Sequence, residues 1–260
     1  MTNTPAVSGS ENINPMSEAP RQFALDISKT PEPGLGNFIT PNPGGSAISI
    51  VDLLTKIKSN WVSGSTIPTE FSWLYCWGAS GSGKTHLLKA MFGLALEHNI
   101  SAIYLTPNDS NGWATLEKNI ENLPNALLID DVDALNTMQQ ALLFRIQIET
   151  KEKSGKLLFI TGSQSIAGLD LRDDVKSRLG WGLNFELTVL SDAQKIIAIN
   201  QAALERGINL SQDVAPWLLS NFHRDLPSLL SLIEALDHFS LERKRAVTLP
   251  LLREFLQSNN

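Results

Sequence analysis

The sequence predicts an α/β fold: a five-stranded parallel sheet bearing a phosphate-binding loop, followed by a small all-helical domain. Three observations predict it. Gly78-Ala79-Ser80-Gly81-Ser82-Gly83-Lys84-Thr85 matches G-x-x-x-x-G-K-[ST]. In that loop backbone N–H groups cradle phosphates, the Lys reaches the β/γ oxygens and the hydroxyl holds Mg²⁺. Apolar runs of strand length alternate with helical periods from residue 71 to residue 187, as in a parallel sheet covered on both faces. After Val189 only helical periods remain.

Residues 1–21 are rich in Thr, Asn, Pro, Ser and Glu and carry too little apolar surface to offset their ordering entropy, which predicts a disordered tail. Residues 22–45 hold an apolar island, Gln22-Phe23-Ala24-Leu25-Asp26-Ile27, and then a Pro/Gly-rich linker. The island reads either as a short strand resting on the domain or as a linear motif that docks in a partner's apolar pocket. Residues 46–189 form the α/β domain. It opens on a helix over 46–59, with Ile48, Ile50, Val51, Leu53, Leu54 and Ile57 in period and Lys56 and Lys58 near its C-terminal dipole end.

The aromatic strand 71–77 then enters the loop, and a helix over 86–96 follows with Leu87, Leu88, Met91, Leu94 and Ala95 on one face. Strand, loop and helix thus come in the order that puts phosphate at a helix N-terminus. Further strands are expected over 102–106, 126–129, 157–160 and 183–187, with helices over 113–123 and 136–154 stopped by Pro124 and Gly155. A loop carrying Arg172 and Arg178 leads to the last strand. Residues 190–260 form the helical domain, entered through a Ser191/Gln194 capping box, with helices to about 206 and over 213–222, 226–243 and 249–256.

Composition narrows the function. A net charge of −6 and a pI of about 5.3 disfavour DNA as the primary ligand, since phosphate neutralisation supplies most nucleic-acid affinity. The single Cys76 excludes an internal disulfide framework and a cysteine zinc site. No stretch has the apolar length of a membrane span and the N-terminus has no signal-peptide pattern, so a cytoplasmic protein is expected.

The chemistry gathers beside the loop. An Asp at the end of a neighbouring apolar strand completes the Mg²⁺ site of phosphate-loop NTPases, and Asp130, after Leu127-Leu128-Ile129, fits that role. Asp131 is placed to polarise an attacking water, but an Asp reaches less far than a Glu, so weak hydrolysis is expected. Thr161 and Ser163 end the fourth strand on the side where such sheets bind ligands. His86, His98, His223 and His238 lack metal-ligand spacing, and Cys76 reads as a small core residue. Arg178 has two readings: a surface ion pair with Asp173 or Asp174, or an arginine finger aimed at a neighbouring molecule's site.

The order of phosphate loop, Ile129-Asp130-Asp131, Thr161-Gly162-Ser163 and Ser177-Arg178-Leu179-Gly180-Trp181-Gly182 resembles the AAA+ domain of bacterial replication initiators of the DnaA type. The resemblance covers roughly residues 22–258. It implies an adenine contact at Asn37-Phe38, phosphate contacts at residues 78–85, Mg²⁺ at Thr85 and Asp130, and ATP or ADP as ligand. It makes Arg178 a finger acting in trans. The initiator's second Arg, four positions earlier, is here Asp174. Pro227 takes the place of the lid's sensor Arg; either Arg224, one turn earlier, substitutes for it at the nucleotide or the contact is missing. The helix-turn-helix DNA-binding domain of the initiator is not found after the lid, so strong direct DNA binding is not expected. Gln22, Phe23, Leu25 and Ile27 are similar to the motif by which proteins dock on the DNA polymerase sliding clamp (beta subunit). Together these features resemble the family's regulatory branch, which binds the clamp, stimulates hydrolysis of ATP on DnaA and so prevents re-initiation. Homo-oligomerisation stays open, as does an autonomous ATPase of helicase-loader or initiator type.

Overall fold

In a computed structural model of the chain, residues 32–39, 50–152, 155–205, 207–222 and 226–258 are described. Five strands, β1 (Trp73–Trp77), β2 (Ala102–Leu105), β3 (Ala126–Ile129), β4 (Leu157–Gly162) and β5 (Leu183–Glu186), form one sheet in the order β2-β3-β4-β1-β5, every pair parallel. The central strands β3 and β4 are buried throughout, which is why they read as unbroken apolar runs rather than alternating ones.

Alternation reappears in which face each side chain serves. Leu74, Cys76, Ala126, Leu128, Leu157 and Phe159 point into one core, packed by α1 (Ile50–Val62) and α2 (Lys84–Glu97). Tyr75, Leu127, Ile129, Leu158 and Ile160 point into the other. That second core is packed by α3 (Ser110–Lys118), α4 (Thr137–Glu152) and α5 (Asp173–Leu179). The period of two is thus kept, with helices on both faces.

α5 corrects the expectation of a loop around Arg178. Val175 and Leu179, four apart, are both buried, and Asp173 and Asp174 in the first turn with Lys176 and Arg178 in the last complement the helix dipole. The helix expected over 113–123 is instead Ser110–Lys118, started by the Asp109 carboxylate accepting from Gly112 N–H at 2.9 Å, and followed by a 3-10 turn over Ile120–Asn122.

The C-terminal lid consists of α6 (Asp192–Glu205), α7 (Val214–Asn221), α8 (Leu226–Arg243) and α9 (Leu249–Ser258). It has its own core, including Ile199, Leu218, Leu229, Ile233, Leu236, Leu252 and Phe255. The Ser191/Gln194 box is formed: Ser191 N–H donates to Gln194 Oε1 at 2.9 Å, and Gln194 N–H to Ser191 Oγ at 3.3 Å. One parallel bridge, Leu210 to Val247, adds a β contact that the helical periods did not announce. Among the described residues no helix is long and apolar enough to cross a membrane.

Candidate functional site

The strand order explains where the chemistry collects. Parallel strands put all their carboxyl ends on one edge, and β4 lies between β1 and β3. The loop leaving β1, the end of β4 and the acids after β3 are therefore neighbours, although far apart in sequence.

The loop is shaped by what has no room for a Cβ. At Gly78 a Cβ would lie 2.1 Å from the Leu187 carbonyl oxygen and 3.0 Å from Ser82 Oγ. Gly81 and Gly83 take left-handed φ of 79° and 94°, which lets the chain turn back into α2. The N–H groups of Lys84, Thr85 and His86 at the start of α2 precede the first helical bond, Leu87 N–H to the Gly83 carbonyl at 3.0 Å, and face the exposed loop with Ala79 and Ser80. Lys84 Nζ, nearly buried, donates to the carbonyls of Gly78 at 2.7 Å and Ala79 at 3.0 Å, so its charge is held within the loop. Ser82 Oγ is buried with no partner among the described residues, and Thr85 is exposed at the head of α2. This is a donor-rich, cation-centred cradle of the kind that fits an anion.

Asp130 is buried, and each of its carboxylate oxygens is engaged. Oδ1 accepts from the Thr161 hydroxyl and, at 3.2 Å, from Asp131 N–H, while Oδ2 accepts from the Tyr104 hydroxyl at 2.8 Å. Tyr104, on β2, was not foreseen as a site residue: nothing in the chain order says that β2 neighbours β3. Burial, followed by the bond to Asp130, raises its phenol well above the usual range. Asp131 is exposed, with a left-handed φ of 49°. Its carboxyl is pushed up by partial desolvation and then by the charges of Asp130 and Asp133, against a lowering from Lys84. Asp133 is a second unforeseen member. Its Oδ1 accepts from Ser163 N–H at 2.7 Å and so ties the end of β4 to the acidic turn.

Among the described residues no cluster of three His, Cys, Asp or Glu could hold a metal by itself. A hard cation that keeps waters and borrows phosphate oxygens needs only one or two protein oxygens, which Thr85 and Asp130 can supply.

A 3-10 turn over Leu35–Asn37 packs against α1 and α2 beside the loop. Phe38 lies so close to Gly83 that a Cβ there would be 2.6 Å from its Cε2. Its ring centroid is 5.7 Å from that of His86, whose Nε2 is 2.9 Å from the Gly34 carbonyl oxygen. The exposed Asn37 side chain folds back on its own turn, accepting from Gly34 N–H at 2.9 Å and donating to the Glu32 carbonyl at 3.1 Å. Burial lowers the His86 pKa below 6.5, partly offset by the Gly34 contact.

Arg178 lies elsewhere. β5 begins at Leu183 in register with Leu74 near the start of β1, so α5 meets the sheet at the edge opposite the phosphate loop. Trp181 stacks on Trp73, the first residue of β1, at 6.1 Å and 16°. Neither expected ion pair forms. Asp174 is taken by Arg172 at 2.6 Å, which holds its carboxyl below the usual range, and Asp173 by Lys176 at 3.1 Å. Gln22, Phe23, Leu25, Ile27 and Arg224 lie outside the described residues.

The sheet order, the loop and the helical lid define a P-loop protein of the AAA+ class. Domain III of the Thermotoga maritima replication initiation protein DnaA superposes with a TM-score of 0.62 at 20% identity, over 92% of this chain and 98% of that one. DnaA from Aquifex aeolicus bound to AMPPCP gives 0.62 at 23% identity, over 81% and 68%. A RuvB variant of T. maritima gives 0.58 at 14%, over 86% and 71%. At these identities the likeness is one of fold.

Sequence families go further. The bacterial DnaA ATPase domain matches residues 56–186, and the Hda lid domain matches residues 192–256. An uncharacterized protein of Haemophilus influenzae is 31% identical over 241 residues, 91% of this chain and 98% of its own length. The chain belongs to the bacterial DnaA ATPase-domain family, and within it is a DnaA-like protein of the Hda type.

Proposed function

We propose that this protein is a nucleotide-held adaptor in the cytoplasm that regulates replication initiation by acting on the initiator DnaA. One observation carries the reading: Arg178 stands at the sheet edge opposite the protein's own loop and has no carboxylate partner among the described residues. A cation so placed cannot serve the phosphates in cis, but it is available to a site on a second molecule. An arginine supplied in trans stabilises charge on a transferring phosphoryl group and can be worth several powers of ten in rate.

In this reading the cradle of residues 78–85 holds ADP or ATP, with Lys84 on the phosphates. Thr85 and Asp130 hold Mg²⁺, and Phe38 borders the nucleotide. Ser163 and Arg224 complete its contacts. The chemistry the cation supplies is charge neutralisation of the phosphates. Asp131 gives at most slow turnover in cis, because its short, partly desolvated carboxylate is held by a strained backbone. Gln22, Phe23, Leu25 and Ile27 tether the protein to the sliding clamp, so that Arg178 is presented to the initiator only where clamp is loaded on DNA.

The test follows ATP preloaded on DnaA, with and without this protein and with and without loaded clamp. Stimulation that needs both components is expected, and it should be lost in the Gln22→Ala, Leu25→Ala double variant. Steady turnover by this protein alone, abolished by Asp131→Asn, would instead make it an autonomous ATPase.

A further inference from the structure

The surroundings of Arg178 are aromatic rather than acidic. Its guanidinium carbon lies 4.5 Å from the centroid of the Phe144 ring on α4 and 4.9 Å from that of Trp181. Trp181 is itself fixed by the stack on Trp73 and by Lys151 Nζ, 3.8 Å from its centroid, although 52% of it remains exposed. Arg172 also approaches Phe144, at 5.7 Å, but its charge is consumed by Asp174 through two hydrogen bonds. Two cations thus approach the same ring and differ in one respect: of the two, only Arg178 has no carboxylate partner among the described residues.

We propose that Phe144 is a positioning residue for Arg178, forming with Trp181 a two-sided aromatic clip that orders the guanidinium without neutralising it. The inference rests on the reading of Arg178 as the group delivered to the initiator's ATP. The physical case is a comparison of two ways to hold an arginine. A carboxylate would fix it firmly, but the pair must be broken before the cation can meet phosphate oxygens, and the carboxylate would repel those oxygens. A ring face attracts the cation through its quadrupole, leaves the N–H edges free to donate, and carries no net charge. Ordering the long side chain before the encounter removes entropy that would otherwise be lost in the transition state. The sequence places Phe144 on the same stripe of α4 as Lys151, seven residues on, so one helix seats both the arginine and the tryptophan beside it.

The test measures turnover of ATP preloaded on DnaA at saturating protein and loaded clamp, for Phe144→Leu, Phe144→Trp and Arg178→Ala. Phe144→Leu should lower the rate about three- to ten-fold, the loss of one ring face from a half-exposed cation. The concentration giving half-maximal stimulation should not move, since orientation and not docking is affected. Phe144→Trp, which restores a π face, should return the rate to within about two-fold of the wild type. In an Arg178→Ala background Phe144→Leu should have no further effect.

A wild-type rate in Phe144→Leu with an inactive Arg178→Ala would overturn the clip and leave the finger standing. Full activity in Arg178→Ala would overturn both. A second measurement needs no variant: in the folded wild type the Arg178 side-chain methylene protons, held against two ring faces, should be shifted upfield by ring currents. Random-coil shifts there would overturn the proposal whatever the variants do.

Discussion

Replacing Gly78 by Ala tests whether the loop's shape is dictated by its contact with the end of β5. The new Cβ would stand 2.1 Å from the Leu187 carbonyl oxygen, where 3.0 Å is about the closest that real contacts come. Leu187 cannot yield easily: its N–H donates to the Trp77 carbonyl at 2.7 Å and its side chain is buried. The loop must therefore move, at a cost of about 2–4 kcal/mol, the upper end for overpacking against backbone. At about 2–4 °C per kcal/mol for a domain of this size, Tm should fall by about 4–16 °C, and nucleotide affinity should fall with it. Gly81→Ala is the control. Nothing lies within 4 Å of its Cβ, so only left-handed strain at φ 79° remains, costing about 1 kcal/mol. Thermal unfolding paired with titration of a fluorescent adenine nucleotide reads both effects. Gly78→Ala within 2 °C or so of the wild type, with unchanged affinity, would refute the contact argument.

Other outcomes can be checked independently. Gly83→Ala should displace the Phe38 ring, because the obstructing Cε2 at 2.6 Å belongs to a side chain that can turn, so nucleotide affinity should change more than Tm. Tyr104→Phe leaves Asp130 Oδ2 buried without its hydroxyl donor, and should cost about 1–3 kcal/mol in denaturant unfolding; an unchanged midpoint would show that the bond contributes nothing. Burial pushes the Cys76 thiol far up, so a thiol reagent should label it only as fast as the chain unfolds. His86 is neutral at pH 7 with its folded pKa below 6.5. The unfolded chain therefore binds the proton first, and stability should fall as pH drops through 6.5 towards the folded value, a slope that His86→Gln should flatten.

Much of this architecture was legible in the chain. β3 and β4 announced themselves because a strand buried on both faces must be apolar at every position, and the loop because its chemistry needs those residues consecutively. What stayed hidden depends on neighbours supplied by topology. Tyr104 meets Asp130 only because β2 pairs with β3, and Thr161 does so only because β4 inserts between β3 and β1. α5 escaped notice because seven residues offer only Val175 and Leu179 as a period. The choice between the two readings of Arg178 was hidden for a related reason. Asp173 and Asp174 are near it in sequence, but Lys176 and Arg172 are better placed to take them, which leaves the guanidinium to two aromatic rings.

The central claim is that the charge this protein contributes is delivered to another molecule's nucleotide. Its most direct measurement is single-turnover hydrolysis of labelled ATP preloaded on DnaA, with loaded clamp present, comparing wild type with Arg178→Ala. Clamp retention and thermal unfolding are measured on the same preparations. The expected result is a loss of about 100-fold or more in the stimulated rate, with retention and Tm unchanged. Equal rates for the two proteins would contradict the claim.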